Sequence, residues 1–187
     1  MITPLPTMPT PISRAEWDAR SPNHDALEEF GFASEDNPTG WLVYDGDLRE
    51  VYHTVVIHHS ADLRPHTMRD MQDVHMDRQQ WADIGYHFGI DSQGIIYAGR
   101  DIQARGASVA GHNTGAIGVV MMGHFEWETP AEMQLAALQT LVNWLATTYA
   151  LNYLAGHGEL NAGTVCPGRN LRPYLDALAL GAGLQRH

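Results

Sequence analysis

Thr54-Val55-Val56-Ile57-His58-His59-Ser60 is the stretch that decides the fold. A β-branched apolar run without alternation is the pattern of a strand covered on both faces, and such strands lie inside parallel or mixed sheets. The run ends on two histidines, so the strand delivers imidazole to a sheet edge, where strand becomes loop. Neighbouring side chains on a strand point to opposite faces, so only one of His58 and His59 can readily face a shared site. The other must pack or hydrogen-bond elsewhere.

Working outward, Thr67 to Trp81 carries Met68, Met71, Val74 or His75, and Arg78 at helical spacing and predicts a helix. Tyr86 to Asp91, Gly94 to Ala98 and Ala116 to Met122 predict three more strands, the first two joined by Ser92-Gln93-Gly94. Thr129-Pro130-Ala131-Glu132 reads as a capping box with Pro at the first helical position. It opens a helix to about Tyr149 that places Leu135, Leu138, Leu141, Val142 and Leu145 on one face. Asn152 to Ala155 predicts a last short strand leading into Gly156-His157, and Leu171 to Leu180 a final helix. Upstream, Asn23 to Glu50 mixes acidic side chains with turn residues, which predicts irregular surface structure and a short strand near Trp41 to Tyr44. Met1 to Pro11, rich in Pro and Thr, reads as a flexible lead-in. Strands interleaved with helices predict an α/β (α+β) fold, a single domain over residues 12–187 with a central mixed β-sheet flanked by helices.

Composition narrows the function classes. A chain of 187 residues without internal repeats fits one domain. Its 22 acidic side chains against 11 basic ones, all Arg, give a net charge of -11, which repels nucleic acid and anionic membrane surfaces. No apolar run approaches the roughly 20 residues that span a bilayer, so no membrane span is expected. Cys166 is the lone cysteine and cannot form an internal disulfide. The lead-in lacks the charged start and apolar stretch of a secretory signal, so either none is used or it has been removed.

Three potential zinc ligands stand at strand ends or in loops: His58 or His59, then His157, then Cys166 before Pro167-Gly168. Zinc takes imidazole nitrogen and thiolate sulfur tetrahedrally, and a catalytic site keeps its fourth position for water. Such water has a pKa near about 7, which suits amide hydrolysis. Spacing alone leaves open that Cys166 is a buried small hydrophobe and the histidines ordinary polar residues.

Five segments in order resemble the type 2 N-acetylmuramoyl-L-alanine amidase family, which includes the phage lysozyme-like amidases and the peptidoglycan recognition proteins. They are Ile12-Ser13-Arg14-Ala15-Glu16-Trp17-Asp18-Ala19-Arg20, Val55-Val56-Ile57-His58-His59-Ser60-Ala61, Asp83-Ile84-Gly85-Tyr86-His87-Phe88, Gly111-His112-Asn113-Thr114-Gly115-Ala116-Ile117-Gly118, and Gly156-His157 with Cys166-Pro167-Gly168. The resemblance implies one zinc ion on His58, His157 and Cys166, with His59 as a structural partner. It implies Tyr86 as the catalytic tyrosine and Thr164 as a stabiliser of the tetrahedral intermediate, where relatives carry lysine or threonine. His59, His112, Asn113 and Arg105 are candidate substrate contacts. Two departures stand out: Ser108 replaces a histidine that often lines the groove, and Cys166 lies one residue further from His157 than is common.

Lesser candidates complete the reading. Glu159 and Glu126 are possible general bases, and Arg100 and Arg105 possible carboxylate binders, with a surface pair to Asp101 the simpler role for Arg100. His53, His66, His75 and His87 read as structural or exposed. The expected function is hydrolysis of the amide between N-acetylmuramic acid and the L-alanine of the stem peptide, with peptidoglycan or muropeptides as partner. The chain is expected to be a monomer acting on the cell wall, outside the cytoplasm or as a phage lysin. Two alternatives stand beside this: a peptidoglycan-binding module that does not cut, and a structural zinc domain with four protein ligands.

Overall fold

A computed structural model of the protein describes residues 9–27, 40–62 and 67–187. Strands β1 (Thr54–His59), β2 (Phe88–Ile90), β3 (Ile96–Ala98), β4 (Ala116–Met121), β5 (Tyr153–Gly156) and β6 (Gln185–Arg186) form one sheet in the order β3-β2-β4-β1-β5-β6. Every neighbouring pair is parallel except β2 and β3, an antiparallel hairpin whose turn is held by Asp91, its carboxylate accepting the Gln93 and Ile95 amides. The sheet is therefore mixed and flanked by helices, as expected. β1 and β4 are buried throughout, which is why their sequences carry no polar alternation.

The helices are α1 (Leu48–Val51), α2 (Met68–Asp73), α3 (Glu132–Tyr149), α4 (His157–Leu160) and α5 (Leu175–Ala182). One face of the sheet packs Ile57, Val119 and Met121 against Leu138, Leu141 and Leu145 of α3 and Leu175 and Leu178 of α5. The other face packs Val120 against Met68 and Met71 of α2, with Ile84 and Met122. Each of these fully buried apolar side chains contributes about 1.5–3 kcal/mol from burial. The N-terminal segment closes the β3 edge: Ile12 bridges Tyr97, Arg14 donates to the Gly99 carbonyl, and the Trp17 indole donates to the Ala98 carbonyl. Arg14 also pairs with the buried Asp83 carboxylate at 2.9 Å.

Several boundaries differ from the sequence reading. The α3 N-cap is Ala131, without a side-chain cap, so the expected Thr129 capping box does not form. Gln134 in the first turn instead donates to the carbonyls of Ile90 and Met122, fastening the helix to the ends of β2 and β4. The expected helix to Trp81 runs as α2, with a real capping box between Thr67 and Asp70, and continues as a π turn over Val74–Arg78. The final helix begins as a 3-10 turn at Arg172–Tyr174, and the expected strand at 41–44 is reduced to a single bridge from Val43 to Ala104. Arg100 is not a surface partner of Asp101. It is buried, and its guanidinium donates to the carbonyls of Ile84, Asp83 and Arg105. The expected flexibility of residues 1–8, the reading of 28–39 and the role of His66 lie outside the described residues.

Two tests follow from this packing. A Cβ at Gly99 would collide with the Tyr86 carbonyl oxygen, which is backbone and cannot swing away. Gly99→Ala should therefore lower unfolding free energy by about 1–3 kcal/mol in a urea titration; unchanged stability would show that the chain there yields. His87 is buried, its Nδ1 accepts the Gly118 amide and its Nε2 donates to the Ala104 carbonyl, and burial lowers its pKa from 6.5 to about 4. Between those values the unfolded chain holds the extra proton, so stability falls as pH drops from about 6.5 to 4, on the order of 3 kcal/mol from this residue. A urea midpoint that stays flat across that window contradicts the assignment.

Candidate metal centre

The centre is a consequence of register. β1 and β5 run parallel with Ile57 opposite Gly156, so the next residues, His58 near the end of β1 and His157 just past β5, lie side by side at the carboxyl edge of the sheet. Open α/β sheets present ligands at that edge. The two imidazole rings lie 4.7 Å apart. His157 is not in a plain loop: it opens α4, and the Glu159 carboxylate accepts the Gly156 amide just before it. Cys166 returns to the same place because Gly158 donates to the Cys166 carbonyl at 2.7 Å, zipping the two ends of the connecting loop together. A Cβ at Gly158 would meet the Thr164 and Cys166 carbonyls at under 3 Å, so glycine is what lets the loop close.

Donor atoms of His58, His157 and Cys166 all lie within 4.8 Å of one another. The sulfur of Cys166 is 3.7 Å from His58 Nδ1. Two ligands of a tetrahedral zinc, one sulfur and one nitrogen, stand about 3.6 Å apart given the usual bond lengths. His157 leaves a buried Nε2 without a hydrogen-bond partner, a costly arrangement for a group that serves no further purpose. Burial, reinforced by His157, holds His58 well below its ordinary pKa, and burial pushes the Cys166 thiol up to about 12. A divalent cation reverses the thiol's preference and suits neutral imidazoles, so this donor set fits a metal such as zinc.

Tyr86 stands beside the centre, its ring 5.0 Å from that of His58. Its backbone is fixed from two sides: the Arg100 amide donates to the Tyr86 carbonyl, and the preceding Gly85 amide donates to His75 Nδ1 at 3.0 Å. Burial raises the Tyr86 pKa, so the hydroxyl keeps its proton. His75 is the residue that sequence reasoning passed over. Its ring lies 5.4 Å from Tyr86, and the π turn carries it into the wall of a cavity of about 490 Å³ shared with Tyr86, Ser60, Asp62, Met71 and Arg78. The available signal was its spacing of four from Met71, which puts both side chains on one helix face.

The other candidates are distributed differently. His59 points to the opposite face, where its Nδ1 accepts the Phe125 amide and burial lowers its pKa to about 4, while its backbone amide donates to Cys166 sulfur. The Thr164 hydroxyl accepts the Cys166 amide at 3.1 Å. Asn113 is buried and its carbonyl oxygen receives the amides of Ser108 and Val109. Arg105 donates to the Gly40 carbonyl, and His112 lines a separate cavity of about 180 Å³ with His53 and His187. Glu159 engages Gly156 and Arg186, and Glu126 engages Arg169. Ser108 sits near Gly118 and within reach of the Tyr86 wall.

Comparison with known proteins places this geometry. Residues 48–169 match the model described as N-acetylmuramoyl-L-alanine amidase. Peptidoglycan-recognition protein LB of Drosophila melanogaster is 31% identical over 166 residues, covering 86% of this chain and 65% of the relative. Its solved structure aligns over 94% of this chain and 96% of its own with a TM-score of 0.70. An N-acetylmuramoyl-L-alanine amidase of Sus scrofa is 38% identical over 125 residues, 60% of this chain but 21% of that longer protein. An endolysin amidase from Clostridium intestinale aligns over 78% of this chain and 91% of its own, with 29% identity and a TM-score of 0.67. With the matched model spanning β1 to β5, Tyr86 and all three donor residues, the chain belongs to the N-acetylmuramoyl-L-alanine amidase family.

Proposed function

We propose that the chain is a zinc-dependent peptidoglycan hydrolase that cleaves the amide joining N-acetylmuramic acid to the L-alanine of the stem peptide. The observation that carries the reading is the convergence of His58, His157 and Cys166 within 4.8 Å. Among the described residues this group has three donors, which leaves a fourth tetrahedral position for solvent and favours a catalytic over a closed structural site. His58, His157 and Cys166 would hold the zinc, which would supply Lewis acidity and a water whose pKa is lowered to about 7. The protonated Tyr86 hydroxyl donates to the carbonyl oxygen as it gains negative charge. Thr164 keeps its hydroxyl beside Cys166 and orders the loop that presents the sulfur. The cavity lined by Tyr86, His75 and Met71 receives the peptide side of the substrate. The site of action is the cell wall, and the chain works as a monomer.

A recognition role without cleavage is the second reading, favoured by relatives that are named recognition proteins, one of them solved with tracheal cytotoxin bound. Zinc content, product release and binding are measured on the same preparations. Wild type should hold one equivalent of zinc and release stem peptide from muropeptides, and Cys166→Ser should lose both. Wild type that binds muropeptide yet releases nothing supports recognition instead. Tyr86→Phe should keep its zinc and lower kcat by about 10²–10³, the usual cost of one oxyanion donor; full activity in that variant removes Tyr86 from the chemistry.

A further inference from the structure

The turn after β4 holds Trp127 out in solvent with 68% of its surface exposed. That position is rigid. The Trp127 and Glu128 amides both donate to the His124 carbonyl at 2.9 Å, and the His124 amide donates to the Glu128 carboxylate at 2.8 Å. The Asn170 amide donates to the Phe125 carbonyl at 2.9 Å. Gly168, with φ of +98°, presses so closely on the backbone of Phe125 and Glu126 that a Cβ would clash. Cys166 lies two residues earlier on that same segment, so Trp127 is fixed relative to the metal centre.

One face of the indole is covered by a guanidinium. The Arg169 guanidinium lies 5.1 Å from the ring centroid and is itself held by the Glu126 backbone and carboxylate. With the guanidinium over one face, the rest of the exposed indole matches a pyranose ring, whose C–H groups stack on the π face while its hydroxyls bond to the guanidinium and to the Glu126 carboxylate that holds it. The turn is anchored by Phe125 on the α3 side of the sheet, whereas the cavity beside Tyr86 lies on the α2 side. A substrate cut at the metal centre carries peptide on one side of the scissile amide and a sugar on the other, and in the polymer that sugar has neighbours.

We propose that Trp127 and Arg169 form a glycan-stacking subsite that takes a pyranose ring of the sugar strand next to the one bearing the cleaved amide. This inference rests on the peptidoglycan reading above. Trp127→Ala is compared with wild type on two substrates, polymeric peptidoglycan and a muramyl peptide with one sugar. The loss in kcat/KM should be about ten-fold greater on the polymer, and Trp127→Phe should restore most of it. Equal losses on both substrates, or none on the polymer, overturn the subsite. Calorimetry with peptide-free glycan chains gives a readout that does not depend on cleavage: wild type should bind about ten-fold more tightly than Trp127→Ala. Equal binding, or none by wild type, likewise overturns it. Failure of wild type to cleave either substrate while glycan binding still depends on Trp127 overturns the amidase reading alone.

Discussion

The pairing of β1 with β5 is the constraint on which the site depends. Ile57 opposite Gly156 brings His58 beside His157, and a one-residue slip would send one imidazole to the far face. The register is held by burial on both sides: Val55, Val56, Ile57, Leu154 and Ala155 are all inaccessible, so any shift would expose apolar surface or bury a polar group. The three-donor group is thus specified by the same contacts that specify the core. Cys166 is attached to it through the Gly158 amide, the His59 amide and the Thr164 hydroxyl, and the loop between these points can absorb a residue more or less.

What the sequence makes legible follows from how many residues share a signal. β1, β4 and the body of α3 are stated by runs of apolar side chains, and each is found within a residue or two of its expected place. The start of α3 rests on single hydrogen bonds, and there Gln134 reaching two strand-end carbonyls outweighs a local cap from Thr129. The π turn after α2 has no marker in a pattern of period 3.6, so His75 reads as an ordinary helical position. Arg100 is misjudged for a related reason. Its neighbour Asp101 is visible in sequence, while the carbonyls of Asp83, Ile84 and Arg105 that accept its protons are assembled only by the fold.

The site residues divide in the same way. Alternation along β1 limits the choice to one of His58 and His59 without naming which, and the family resemblance, not the spacing, singles out His58, His157 and Cys166. Asn113 and Thr164 lie in loops whose chemistry is readable as polar, but their oxygens accept neighbouring amides, a use that sequence cannot separate from substrate contact.

Tyr86 is held as its proposed role as a hydrogen-bond donor would require. A hydrogen-bond donor stabilises developing charge only if it is already in place, because reorganising it would return the energy gained. The backbone around Tyr86 is held by its neighbours: His75 accepts the Gly85 amide, the Arg100 amide donates to the Tyr86 carbonyl, and Asp83 is pinned by Arg14 and Gln72 just upstream. The buried Arg14–Asp83 pair is not a strong source of stability, since desolvation offsets much of the attraction. Its value is positional, for it ties the N-terminal segment to the loop before β2 that carries Tyr86. The same segment that carries the family's opening motif therefore acts on the site at a distance, by denying the tyrosine alternatives.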